Sequence, residues 1–158
     1  MKTRKSLCLP SVVILIVMLS GCEPIETYPG LRIGGTPTPI PETWSTPDLY
    51  SALIETRSWF PYVVTVGYLG TTEGLYMMVL TDALWLTRLR ENPDVRFRID
   101  DATYEMTAIF MEDRDEIEAF LPLYNEKYGE EIEDAYGFVF NIENFADHVV
   151  PVRLVARD

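Results

Sequence analysis

Apolar residues recur with two different periods along this chain, and the change from one to the other marks its most readable stretch, Thr81 to Met111. Trp85, Leu86 and Leu89 form an apolar stripe at helical spacing, with Arg88, Arg90 and Glu91 on the wetter side, which predicts a short helix. Asp82 stands where its carboxylate can cap the first free backbone amides. Asn92-Pro93 ends the helix, because the residue before proline is pushed out of the α region and proline has no N–H to donate. From Val95 the period becomes two. Val95, Phe97 and Ile99 face one way and Arg96 and Arg98 the other, and the next run carries Tyr104, Met106, Ala108 and Phe110 on one face. With Asp100-Asp101 as the tight turn, Phe97 is set against Tyr104 and Arg96 against Glu105, apolar pairs inside and an ion pair outside.

The same reading extends to both sides. Leu49, Leu53, Ile54 and Trp59 line one side of a predicted helix from Pro47 to Trp59, with proline suited to its first turn. Tyr62 to Tyr68 and Leu75 to Thr81 are rich in β-branched and aromatic residues and are separated by Gly70 and Gly74, the pattern of a hairpin. Asp113 to Tyr128 places Ile117, Phe120, Leu121, Tyr124 and Tyr128 on one helical face. Gly129 is the expected stop, and Pro122 predicts a kink or two shorter helices. Phe138 to Ile142 and Val149 to Val155 read as strands, the last with Pro151 at an edge or a strand start. The sum is an α+β domain with a small antiparallel sheet or barrel and peripheral helices.

The first residues follow a different logic. Lys2, Arg4 and Lys5 precede an unbroken apolar run from Val12 to Leu19, followed by Ser20-Gly21-Cys22, which is similar to a bacterial lipoprotein signal. The run is well short of the ~20 residues that span a bilayer. Residues 1–21 are therefore expected to be removed and Cys22 to be lipidated as the new N-terminus, anchoring the chain to a membrane on its extracytoplasmic face. Cys8 would leave with the signal, so no disulfide or thiolate site is available. Residues 22–47, rich in proline and glycine, read as an extended tether, and residues 48–158 as one domain.

Charge narrows the partners. The chain carries 13 basic and 25 acidic residues, and loss of Lys2, Arg4 and Lys5 leaves a net charge of −15. Such a surface repels nucleic acid and anionic headgroups. The run Glu130-Glu131-Ile132-Glu133-Asp134 reads as a solvated face. No histidine and carboxylate spacing suggests a metal, and no serine sits in a nucleophile elbow; His148, the only histidine, reads as a solvated or capped residue.

Trp85-Leu86-Thr87-Arg88-Leu89-Arg90-Glu91-Asn92-Pro93, the paired strand that follows, the helix ending at Lys127-Tyr128-Gly129 and the final Pro151-Val152-Arg153-Leu154 resemble the deazaflavin-dependent nitroreductase family. That resemblance implies a split β-barrel of the pyridoxamine phosphate oxidase class, FMN or a deazaflavin as cofactor, and often a homodimer. It places Trp85, Arg88 and Asn92 at positions of the family pattern, with Arg88 and Arg98 to hold anionic groups and Thr71 and Thr72 in the loop beside the cofactor. The chain departs from the pattern in that loop. Thr65 to Gly74 keeps glycines and hydroxyls but has no Arg or Lys, and Glu73 would repel phosphate. Arg88, Arg90, Arg96 and Arg98 could supply the missing cations, or could pair with Glu91, Asp94, Asp101 and Glu105 at the surface. Two readings follow: a membrane-anchored binding or structural module degenerate in cofactor binding, with a small-molecule ligand possible, or a flavin- or deazaflavin-dependent oxidoreductase acting on nitro or quinone substrates.

Overall fold

Inward apolar positions, alternating with polar ones, carry most of the chain into one antiparallel sheet. The computed structural model describes residues 27–29, 32–44, 51–57, 60–72 and 74–157. In chain order the elements are β1 (Thr27–Pro29), β2 (Thr36–Pro37), β3 (Ala52–Thr56), β4 (Tyr62–Val66), β5 (Leu69–Gly70), β6 (Leu75–Leu80), α1 (Leu84–Glu91), β7 (Asp94–Ile99), β8 (Ala102–Phe110), α2 (Arg114–Tyr136), a 3-10 turn (Phe145–Asp147) and β9 (Val149–Ala156). The strands run in the order β1-β4-β3-β7-β8-β9-β6-β5 and curl into a half-barrel, while β2 pairs in parallel with β8 where β9 has run out.

The central hairpin has the register that its alternation predicts, Phe97 opposite Tyr104 and Arg96 opposite Glu105. Asp100 takes the positive φ of 51° that the tight turn needs. Val95, Phe97, Met106 and Ala108 are buried with Ile54, Met77, Val152 and Leu154 in a core that also receives Trp85, Leu86 and Leu89 of α1. A second core lies on the outer side of β6, where Ile117, Phe120, Leu121, Tyr124, Tyr128 and Ile132 of α2 cover Leu69, Tyr76 and Val149.

Several expectations are corrected. The segment predicted as a helix from Pro47 to Trp59 contains the strand β3, in which Ala52, Ile54 and Thr56 point inward. Five residues fit either period, and pairing on both sides with β4 and β7 decides the outcome. Residues 45–50 and 58–59 of that expected helix lie outside the described residues. The runs at Tyr62 and Leu75 do not form a hairpin with each other: β4 pairs with β1 and β3, whereas β6 pairs with β5 and β9. Ala83, not Asp82, is the cap of α1 and makes no side-chain cap bond.

α2 is one 23-residue helix through Pro122 and Gly129, stopped at Gly137 with φ 78°. Burial of Tyr128 and Ile132 outweighs the ~1 kcal/mol that an interior glycine costs. The acidic run 130–134 forms the last helical turns, exposed except for Ile132. Phe138 to Ile142 is not a strand, and β9 with its Pro151 lies between β6 and β8, not at an edge. Pro151 is accommodated because β8 ends beside it, and its carbonyl accepts from Met111 N–H at 3.0 Å.

The largest correction concerns the expected tether. Residues 27–29 pair with β4, and residues 32–44 form a strap across the sheet. Ile33 is buried; its N–H donates to Glu55 Oε2 at 2.6 Å, and its carbonyl accepts from Arg98 Nη1 at 2.8 Å. Gly34 and Gly35 sit at φ 65° and 82°, and a Cβ on Gly35 would collide with Thr103 Oγ1, so the crossing requires glycine. Farther on, Ile40 and Trp44 pack on the barrel core, Trp44 meeting Tyr104 edge to face at 4.9 Å. The expected signal peptide and Cys22 lie outside the described residues.

Candidate functional site

Where α2 starts against the β5–β6 loop, the two elements leave a cavity of about 370 Å³ lined by Thr71, Thr72, Tyr76, Glu116, Ala119, Phe120 and Leu123. The loop is shaped by its own backbone, Thr71 N–H donating to Gly74 O at 2.9 Å with the Thr71 hydroxyl at 3.3 Å from the same carbonyl. Asp113 holds the start of α2 by accepting the N–H groups of Asp115 and Glu116 at 2.8 and 3.1 Å. Tyr76 and Phe120 stack with centroids 5.3 Å apart and make the apolar wall. Glu116 supplies the one carboxylate among the described residues of the lining, 3.4 Å from Arg153 Nη1 on β9.

Farther along α2 the helix is fastened to the sheet by Tyr128. Its hydroxyl accepts from Tyr68 N–H and donates to Tyr68 O, both at 2.8 Å, and Lys127 Nζ reaches the same carbonyl at 3.0 Å. Gly67 permits this approach, since a Cβ there would lie 3.2 Å from the Tyr128 ring. The Tyr68 side chain is fully buried, edge-on to Phe97 at 5.5 Å. Burial raises its pKa above the ordinary 10.0, helped by the negative charge of Asp100 and by Tyr104. Tyr124 is raised too, by burial first and then by Tyr128, against a lowering contribution from its hydrogen bond to the Met78 backbone.

These shifts set an alkaline limit. A folded-state pKa above the unfolded value means that the neutral phenol contributes stability below pH ~10, lost as pH rises further because the unfolded chain ionises first. The urea midpoint is therefore expected to hold to about pH 9 and to fall above 10, with a shallower fall in Tyr124→Phe. An equal fall in both proteins would remove Tyr124 as a cause.

The residues expected to hold a cofactor are distributed over the molecule. Thr71 and Thr72 line the cavity; Trp85, Arg88, Asn92 and Arg98 do not. Trp85 is core. Arg88 donates Nη1 to Phe60 O at 2.9 Å and lies over the Tyr62 ring at 5.1 Å. Asn92 joins α1 to the strand beside it, giving Nδ2 to Arg57 O at 2.6 Å and accepting from Asp94 N–H at 3.0 Å. Arg98 grips the strap and its own turn through Ile33 O, Asp100 O and Asp101. Arg96 lies in a row across the outer face of the sheet between Glu55 and Glu105, at 3.8 and 3.2 Å. Glu105 also takes Arg57 and Arg157 at 2.7 and 2.6 Å.

Tyr76, Glu116, Phe120 and Leu123 were not expected to share a site. One sequence signal pointed to it: Leu123 is an apolar residue off the buried stripe of α2, and it is 47% exposed. His148 is half-buried and caps the 3-10 turn, its N–H donating to Phe145 O at 3.0 Å, while its ring packs against Tyr136, Phe138 and Phe140 at 5.4, 5.2 and 6.2 Å. Among the described residues no group of three metal-ligating side chains forms a site, and no helix is long and apolar enough to cross a membrane.

A curled antiparallel half-barrel with one helix packed into its core and another on its back defines an α+β split barrel. Solved structures share this fold. A Listeria innocua protein assigned as a pyridoxamine 5'-phosphate oxidase superposes with a TM-score of 0.51 at 17% identity, covering 70% of this chain and 86% of that one. HutZ, a heme storage protein from Vibrio cholerae, superposes with a TM-score of 0.53 at 18% identity, covering 69% and 82%. At these identities the likeness shows the fold. No family model and no curated protein sequence matches the chain.

Proposed function

We propose that the chain is a lipid-anchored, extracytoplasmic split barrel that acts as a binding module and does not grip a flavin or deazaflavin through its phosphate. The observation that carries this reading is the commitment of its arginines. Arg88 and Arg98, the two best placed by sequence to hold an anion, donate to the backbone carbonyls of Phe60 and Ile33, and Arg96 serves two carboxylates. A phosphate needs several N–H donors and net positive charge at one place. The cavity beside Thr71 and Thr72 offers instead a carboxylate, hydroxyls and aromatic faces, so its residues do not fit a phosphorylated cofactor. A haem iron held through an imidazole would have to take His148, the one histidine, whose ring is engaged by three aromatic neighbours.

The anchor follows from Ser20-Gly21-Cys22 after the apolar run. Expressed in a bacterial host, the chain is expected in the membrane pellet with residues 1–21 removed and a lipid mass on Cys22, and Cys22→Ala is expected to keep its signal segment and carry no lipid, both read by mass spectrometry. The purified mature protein is expected to show only tyrosine and tryptophan absorption. A bound chromophore with flavin or haem bands would overturn the binding-module reading in favour of a cofactor-dependent oxidoreductase or a haem carrier, and a wild-type chain without lipid mass on Cys22 would overturn the anchor.

A further inference from the structure

We infer that the cavity between α2 and the β5–β6 loop is a site for a small organic cation, an ammonium group carried on a single aromatic ring or a comparable apolar body. The inference rests on the reading of the domain as a binding module and names the ligand chemistry of its site.

Size comes first. A cavity of about 370 Å³ is at the low end of the range that holds small ligands and is matched to one ring with a short chain. Its apolar wall is the stacked pair Tyr76 and Phe120, extended by the exposed Leu123. Stacked aromatic faces hold a planar apolar body and also attract a positive charge placed over them.

Polarity then selects the sign. Glu116 is the one carboxylate among the described residues of the lining. Arg153 Nη1 stands 3.4 Å from Glu116 Oε1, which is shut off from solvent, while the Glu116 side chain as a whole is 31% exposed, so the rest of the carboxylate is open to the cavity that it lines. A carboxylate offers about four acceptor positions, so an ammonium group can be added without displacing Arg153. The threonine hydroxyls at the rim can accept from the same group. An anionic ligand would meet Glu116 and a strongly acidic protein, whereas a cation is drawn in by both.

The test uses the full mature chain in detergent and three probes of one shape: phenethylamine, 2-phenylethanol and phenylacetate, with affinities read by ligand-observed NMR. Phenethylamine is expected to bind about tenfold or more tightly than 2-phenylethanol, with phenylacetate weakest, as one charge-assisted hydrogen bond allows. Glu116→Gln is expected to remove the advantage of the amine while leaving 2-phenylethanol unchanged. Ala119→Trp, on an exposed helical position at the cavity mouth, is expected to block all three. Equal or tighter binding of phenylacetate or 2-phenylethanol, blocked by Ala119→Trp, would overturn the cationic class and leave the binding module standing. Absence of binding by all three at millimolar concentration would overturn both.

Discussion

Replacing Glu55 by alanine is expected to lower the unfolding free energy by about 3 kcal/mol, one of the largest losses available to any single substitution in this chain. Glu55 is 1% exposed although it sits on the outer face of β3, because the strap lies over it. Its Oε2 accepts the N–H of Ile33 at 2.6 Å and stands 3.8 Å from Arg96, and its Oε1 is 3.8 Å from Arg32. Alanine would leave a buried backbone donor unpaired, which alone costs ~1–3 kcal/mol, and would take one of two carboxylates from Arg96. The loss is held below the upper end for buried pairs because Arg96 keeps Glu105 at 3.2 Å. Glu55→Gln retains an acceptor for Ile33 and is expected to lose about half as much. Urea denaturation measures both, and a loss below ~1 kcal/mol in Glu55→Ala would mean that the strap does not depend on this carboxylate.

Phe97→Ala is expected to cost more, about 3–5 kcal/mol, a large share of the ~5–15 kcal/mol that stabilises an ordinary domain. Phe97 is fully buried on β7 at the middle of the sheet, between Ile54 on β3 and Tyr104 on β8, with the Tyr68 ring edge-on at 5.5 Å. Surrounding strands are paired on both sides and cannot collapse into the space, so the cavity persists. Phe97→Leu, which keeps most of the volume, is expected to lose less than half as much and guards against outright unfolding. Ile109→Ala, at 39% exposure on the outer face of β8, is the control and is expected to stay within ~1 kcal/mol. Similar losses at positions 97 and 109 would contradict the assignment of inner and outer faces.

Both residues show how differently the sequence discloses its structure. Phe97 could be placed from its neighbours alone, because strict alternation and the Asp100-Asp101 turn fix the β7–β8 register locally. Glu55 could not. Its burial comes from a strap whose proline and glycine content resembles an unpacked linker, and whose bonds run through side chains and positive-φ glycines, leaving no hydrophobic period to read. β3 was missed for a related reason: a five-residue strand has too few positions to separate its period from that of a helix, and its partners are distant in sequence.

The site divides in the same way. Thr71 and Thr72 were legible as a hydroxyl-bearing loop with no cation. Tyr76, Glu116 and Phe120 join them only through the docking of α2, a tertiary event with no local signature. Arg88 and Arg98 were legible as candidate anion holders, but the carbonyls that engage them, Phe60 O and Ile33 O, belong to segments 28 and 65 residues away.

Committed arginines lead to one direct measurement, the affinity of the purified mature chain for FMN beside riboflavin, by fluorescence titration. The two differ only in the phosphate, so their ratio reports whether the protein holds that group. The expected result is equal affinity for both, or weaker binding of FMN, with no change in Arg88→Ala. Binding of FMN at low micromolar concentration, tenfold or more above riboflavin and lost in Arg88→Ala or Arg98→Ala, would contradict it.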